Sequence, residues 1–582
     1  MLRPVNAERW IPDQPMNPRL PFWTRANAGE VVPGPVSPAS WDLYFDANLL
    51  GWRDCGVDRL GMGDDEVDRV RPEVAGVFGG HLYLNATFTR IWAERTPGMS
   101  AAMIDAAYYG DHPDVPPYVA EPWHENPRTG EVMTGWLGWV MGTMEQDELE
   151  ADRRLAHDIR RARPDLAAAT DAELVERAAS IGPACRRLFN QHINQSAAAS
   201  IGPGAIAGIC TAVGRPADAL KLISGLGGVD SAAPSYAMWD LSRTVRASAA
   251  LTALFDGGPG VAARLAAADG EEAAAFRASV DAFLAEWGSR GPNEWDVLTD
   301  TWETDPDLLF ALVDRMRLLD DGQAPALHTA DREAERSRVA AEIAALLQAD
   351  PEASGTFAAA LASSATFVPG RERSKTNIIR VIGEARVALR ELGRRAVTRG
   401  HLKRPRDLCL LFGDELRAYA DGTATDIGPV VAGRLAHLRR LEELEPPFII
   451  NGTVPPVDTW PTRAAHRTQA AAPGTVITGM PGCAGIVTGR AAVVLDPSDP
   501  TALEPGDILV APLTDPAWTP LFVPAAAVVV DVGAALSHAI IVSRELGIPC
   551  VVSATDATRR IPHGATIEVN GDTGTVTLLA LP

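Results

Sequence analysis

The residues best suited to do chemistry lie near the end of the chain, where Ser537 and His538 follow an apolar run, Ala525 to Val530, and precede a helix-like run that Gly547 and Pro549 close. Gly533, Ala534 and Ala535 are small enough for a tight turn after the strand, and Ser537 is placed to cap the new helix. His538 then falls in the first helical turn, beside backbone N–H groups that have no intrahelical partner. Their partial positive charge favours an anion and disfavours an imidazolium. A neutral imidazole is a nucleophile, and the same N–H groups suit a dianionic phosphoryl group once it is attached. The plainer alternative is a histidine that only caps a helix.

A second group lies upstream. Arg371 and Lys375 are four residues apart in a helical stretch, Arg371 to Val397, so both cations share one face. Phosphoryl transfer needs positive charge where negative charge spreads over three oxygens, though a solvated basic face reads the same way. The turn Gly288-Ser289-Arg290-Gly291-Pro292-Asn293-Glu294 offers Arg290 and Asn293 as binding groups and Glu294 as a carboxylate to take a proton from a hydroxyl. It also reads as a helix-ending turn with hydrogen-bonding side chains.

These groups need elements to hold them. At 582 residues the chain is too long for one ordinary core. Residues 1–150 are rich in Trp, Pro and Gly and predict short strands and loops; residues 151–445 carry Ala- and Leu-rich stretches at helical spacing. Pro446-Pro447 opens a Pro/Thr/Ala-rich segment, 446–474, expected to be a semi-extended tether, and 475–582 alternates short strands with one clear helix. The expected fold is therefore multidomain, a mainly α-helical body followed by a small α/β domain.

The formal charge of −22 argues against nucleic acid or an anionic membrane as partner. The six cysteines contain no CxxC pair, so neither a zinc site nor a disulfide framework is expected. The N-terminus lacks a signal-peptide core, and a cytoplasmic location is expected.

Gly479 to Gly489, Gly506 to Val510, Thr514 to Pro520 and Asp531 to Cys550 together resemble the phosphohistidine, or swivelling, domain of the phosphoenolpyruvate-utilising enzymes. One departure is Gly533-Ala534, where the family commonly has two glycines. Trp23 to Pro38, Gly288 to Trp295, Arg371 to Lys375 and Arg406 to Leu411 resemble the acceptor-binding region of rifampicin phosphotransferase-like members. The resemblance implies that His538 carries a phosphoryl group, that Ser537 hydrogen-bonds it, and that Arg371 and Lys375 meet it at the acceptor site. Related sequences often have histidine where this chain has Ser289; if that histidine is the acceptor-site base there, the resemblance implies another group or another substrate here.

Relatives that start from ATP carry an ATP-grasp domain before the acceptor region, and here that region opens the chain; no Gly-Lys dipeptide of a phosphate-binding loop occurs either. The expectation is a hetero-oligomer in which ATP and Mg²⁺ are bound by a separate ATP-grasp subunit and no metal by this chain. Such a division resembles the aryl phosphate synthases, which implies a small hydroxyl acceptor such as phenol or cresol. A component of a rifamycin-type antibiotic phosphotransferase and a non-catalytic binding homologue are the alternatives.

Overall fold

The computed structural model describes residues 9–63, 66, 73–109, 112, 114–463, 470–495, 503–514, 518–533 and 537–582. The Ala/Leu-rich stretches form helices, among them Asp171–Ala179, Gly182–Ala198, Glu271–Trp287, Asp307–Arg317 and Pro325–Leu346. The longest is Pro351–Thr398, started by Asp350, whose side chain accepts from the Ala353 N–H at 3.0 Å. From Thr376 to Leu392 this helix is buried all round, which explains why apolar residues occupy every face there.

Pro369 lies inside the long helix, removing one backbone donor just before Arg371. At Gly370 an added Cβ would lie 2.5 Å from Gln195 Oε1, so the missing side chain lets helix Gly182–Ala198 come close. The two helices run antiparallel, since Gln195 meets Gly370 while His192 meets Ser374.

Residues 1–150 do contain strands, but helices dominate them, including Asp46–Arg59, Ala86–Arg95 and Pro127–Gly142. Glycines inside these helices, such as Gly51 and Gly56, blur the periodicity. Strands β1 (Phe22–Thr24), β2 (Ala75–Phe78) and β3 (His81–Asn85) pair antiparallel and are joined by β4 (Ile449–Asn451) in the order β2-β3-β1-β4.

β4 corrects the picture of 446–474 as a plain tether. Its first part is strapped to the body: β4 pairs with β1, Leu444 bridges Thr462, and Trp460 is buried beside Gly79. An extended Pro-rich segment cannot form its own core but can complete a sheet that lacks an edge. Residues 464–469 of the expected tether lie outside the described residues.

The C-terminal domain holds β5 (Val476–Thr478), β6 (Met480–Cys483), β7 (Ile486–Val493), β8 (Ile508–Ala511), β9 (Ala527–Val530), β10 (Cys550–Val552), β11 (Thr566–Asn570) and β12 (Thr575–Ala580), in the order β5-β12-β11-β7-β8-β9-β10-β6. β7 to β10 run parallel; β8, β9 and β10 are continuous apolar strands, as burial on both faces demands, whereas β7 is buried only towards its end. The chain is thus multidomain, a helical body followed by a small α/β domain. One apolar cluster spans both, from Trp239, Phe283 and Trp302 of the body to Leu509, Val528 and Ile540. Among the described residues no helix is long and apolar enough to cross a membrane.

Candidate active site

His538 is the first residue of helix His538–Leu546, which follows β9 and ends at Gly547 in the left-handed region, φ 67°. It sits outside the carboxyl ends of β8 and β9, where parallel sheets leave space for ligands. Both ring nitrogens face threonine hydroxyls: Thr519 Oγ1 lies 2.9 Å from Nε2 and Thr514 Oγ1 lies 3.2 Å from Nδ1. Both threonines are buried, one on the segment after β8, the other opening the short helix Thr519–Phe522.

Ser537 stands at the cap position but makes no cap bond; its buried Oγ has no partner among the described residues. Among the described residues the helix start thus has no side-chain cap, and it adds a hydroxyl. Asp515 to Ala517 and Ala534 to Leu536, including the Ala534 departure, lie outside the described residues.

The body supplies the other half. His538 is held neutral, its pKa far below the usual histidine value, first by burial and then by Lys375, Arg290 and Arg371, with Glu372 opposing. Arg371 donates to Glu372 Oε1 at 2.7 Å, and Ser231 donates to the other Glu372 oxygen. Burial works against the Glu372 carboxylate, yet Arg371, Lys375 and Ser231 hold it at about 2.

Arg290 and Glu294 are fully buried and paired at 2.6 Å; Arg290 also donates to Thr376 Oγ1 at 2.7 Å, and Lys375 Nζ lies 3.6 Å from Glu294 Oε1. Arg290 Nη2 has no partner among the described residues. Removing this pair from water is costly, and Arg290, with its spare donor, is close enough for its charge to act on His538. Asn293 takes φ 44° in the turn beside them. The turn is clamped from two sides. Arg386 donates to the Glu294 carbonyl at 2.6 Å, and Asp296 accepts from Ser37 N at 2.8 Å and Ser37 Oγ at 2.6 Å.

The docked arrangement is held at the far end of the carrier helix. The Glu545 carboxylate accepts from Leu226 N at 2.8 Å and Gly227 N at 3.1 Å, and Arg332 donates to the Gly547 carbonyl at 3.2 Å. Thr329 Oγ1 donates to the Glu545 carbonyl at 2.9 Å.

Residues 190–372 match the family model described as the rifampicin phosphotransferase fourth domain, and residues 503–574 match that of the PEP-utilising enzyme mobile domain. These two matches support a member of the phosphoenolpyruvate-utilising enzymes. An uncharacterized protein of Mycobacterium tuberculosis is 30% identical over 599 residues, covering 98% of this chain and 63% of that protein. The prodigiosin synthesizing transferase of Serratia marcescens is 34% identical over 322 residues, and a rifampicin phosphotransferase of Streptomyces sviceus 30% over 308, covering 53% and 52% of this chain and 34% of each of those proteins. The chain thus spans less than two thirds of the length of these relatives.

Within this family frame, several placements were not legible in the sequence. Ser289 is buried against Gly383, whose added Cβ would lie 2.8 Å from Ser289 Cβ. His192 carries no motif, yet the antiparallel helix contact sets its Nδ1 2.9 Å from Ser374 Oγ, between Arg371 and Lys375 in sequence. The threonines on His538 were inside a quoted motif, and only the fold shows what they touch.

Among the described residues no group of three His, Cys, Asp or Glu side chains could hold a metal ion.

Proposed function

We propose that this chain is the carrier and acceptor-binding component of a phosphotransferase, working by double displacement. His538 takes a phosphoryl group at an ATP-grasp partner that binds ATP and Mg²⁺, and delivers it to the hydroxyl of a small organic acceptor held by the helical body. One observation carries the reading: His538 is buried at a helix start between the hydroxyls of Thr514 and Thr519, where Lys375, Arg290 and Arg371 of the body act on its imidazole. A nucleophile needs to be uncharged, and a phosphoryl group in flight needs cations around it. The unpartnered Ser537 Oγ and Arg290 Nη2 are spare donors for its oxygens.

For the acceptor we favour a phenol such as phenol or cresol. Support comes from the aromatic side chains near Arg371 and Ser374: Phe189 lies 6.0 Å from Trp295 and 6.3 Å from Trp52, ring centre to ring centre. A rifamycin-type acceptor is the second reading, favoured by the match of residues 190–372 to the rifampicin phosphotransferase domain. Glu294 is tied to Arg290 and Lys375, so its part is to orient the cations.

The test supplies an ATP-grasp partner and ATP labelled in its β-phosphoryl group. The expected result is acid-labile, base-stable label on the wild type and none on His538→Ala. Undiminished label on that variant rejects the carrier role, and acceptor binding without any transfer favours a non-catalytic homologue.

A further inference from the structure

Among the described residues, His192 is the one histidine hydrogen-bonded to the stretch that bears Arg371 and Lys375, and its bond to Ser374 defines its tautomer. Ser374 Oγ donates to the Arg371 carbonyl at 2.7 Å, so its lone pairs face His192 Nδ1 at 2.9 Å. Nδ1 therefore carries the proton, and Nε2 keeps its lone pair, with no hydrogen-bond partner among the described residues. The ring is held edge-on to Phe189, centroids 5.7 Å apart, and lies 6.2 Å from Trp295, and it keeps a partly exposed edge.

We propose that His192 is the proton acceptor of the transfer step, with Ser374 as the residue that fixes its tautomer. This rests on the phosphotransferase reading above. As the acceptor oxygen bonds to phosphorus, the N–P bond to His538 breaks and its electron pair returns to the imidazole. The hydroxyl proton passes to His192 Nε2 and from there to solvent. The carboxylates at the site are poorer candidates, because Glu294 is bound to Arg290 and Lys375 and Glu372 to Arg371 and Ser231.

Burial, with Arg371 and Lys375, holds free His192 at about 3, while Glu372 and the Arg371 backbone pull the other way. A docked dianionic phosphoryl group offsets those cations and strengthens the base when it is needed.

The test loads the full-length protein chemically with phosphoramidate and follows single-turnover transfer to phenol and to the far more acidic 4-nitrophenol, which depends less on a base. His192→Asn, whose amide nitrogen takes the place of Nδ1 and retains a donor toward Ser374, is expected to lose on the order of 100-fold with phenol and much less with 4-nitrophenol. Equal losses, or none, with the two phenols overturn the inference. So does a ¹⁵N spectrum of the wild type with the proton on Nε2. If the wild-type phosphoprotein delivers to neither phenol, the phenol reading falls and the inference with it; if only the variant's selectivity is missing, the inference alone falls.

Discussion

Lys375→Met keeps an unbranched apolar stem while removing the ammonium that heads the charges acting on His538. Loading of His538 at the partner is expected to survive, while transfer to the acceptor falls on the order of 100- to 1000-fold, as when one preorganised charge is removed from a transition state. Quench-flow measurement of the two half-reactions separates the effects. The Arg371 and Lys375 pair was readable because an i,i+4 spacing survives in any straight helix. His192 was not, since its role depends on a contact between helices that Gly370 makes possible.

Asp531, just after β9, has a carboxyl pushed up to about 7 by burial, although Thr558 donates to it from both backbone and hydroxyl. Its folded pKa lies above the unfolded carboxylate value. The protonated form is thus favoured by folding, and that stability is complete below about 4 and lost as pH rises towards about 7. Asp531→Asn is accordingly expected to be more stable than the wild type at pH 8, by at most a few kcal/mol, and the gap should close near pH 4. Thermal melts across that range check it.

At the scale of elements, the carrier helix is gripped at the end opposite His538. The Glu545 carboxylate sits on two backbone N–H groups of a glycine-rich loop, where Gly225, Gly227 and Gly228 all have positive φ. Glu545→Ala is expected to slow delivery on the order of 10- to 100-fold and leave loading unchanged, because charged hydrogen bonds are worth about 1.5–3 kcal/mol. Equal effects on both half-reactions would show that this contact does not select the acceptor station. The carrier helix itself was legible from His538 to the stop at Gly547, since cap and breaker residues act locally. The cap bond from Ser537 was not made, which leaves its hydroxyl for another partner.

At the scale of the molecule, composition separated the helical body from the α/β domain, because helical and strand periods differ along the chain. It did not show that β4 would cross back to β1, since a three-residue strand in a Pro-rich segment has no period of its own. Nor did it show the docked pose, which depends on apolar surfaces meeting between two domains. The strap up to Arg463 ties the first part of the expected tether to the body. The direct measurement loads the wild-type protein, then maps its phosphoryl group by mass spectrometry under basic conditions, before and after phenol is added. The account predicts phosphate on His538 before the addition, and phenyl phosphate with an empty His538 after it. Phosphate on another residue, or phosphohistidine that persists while no phenyl phosphate forms, would contradict it.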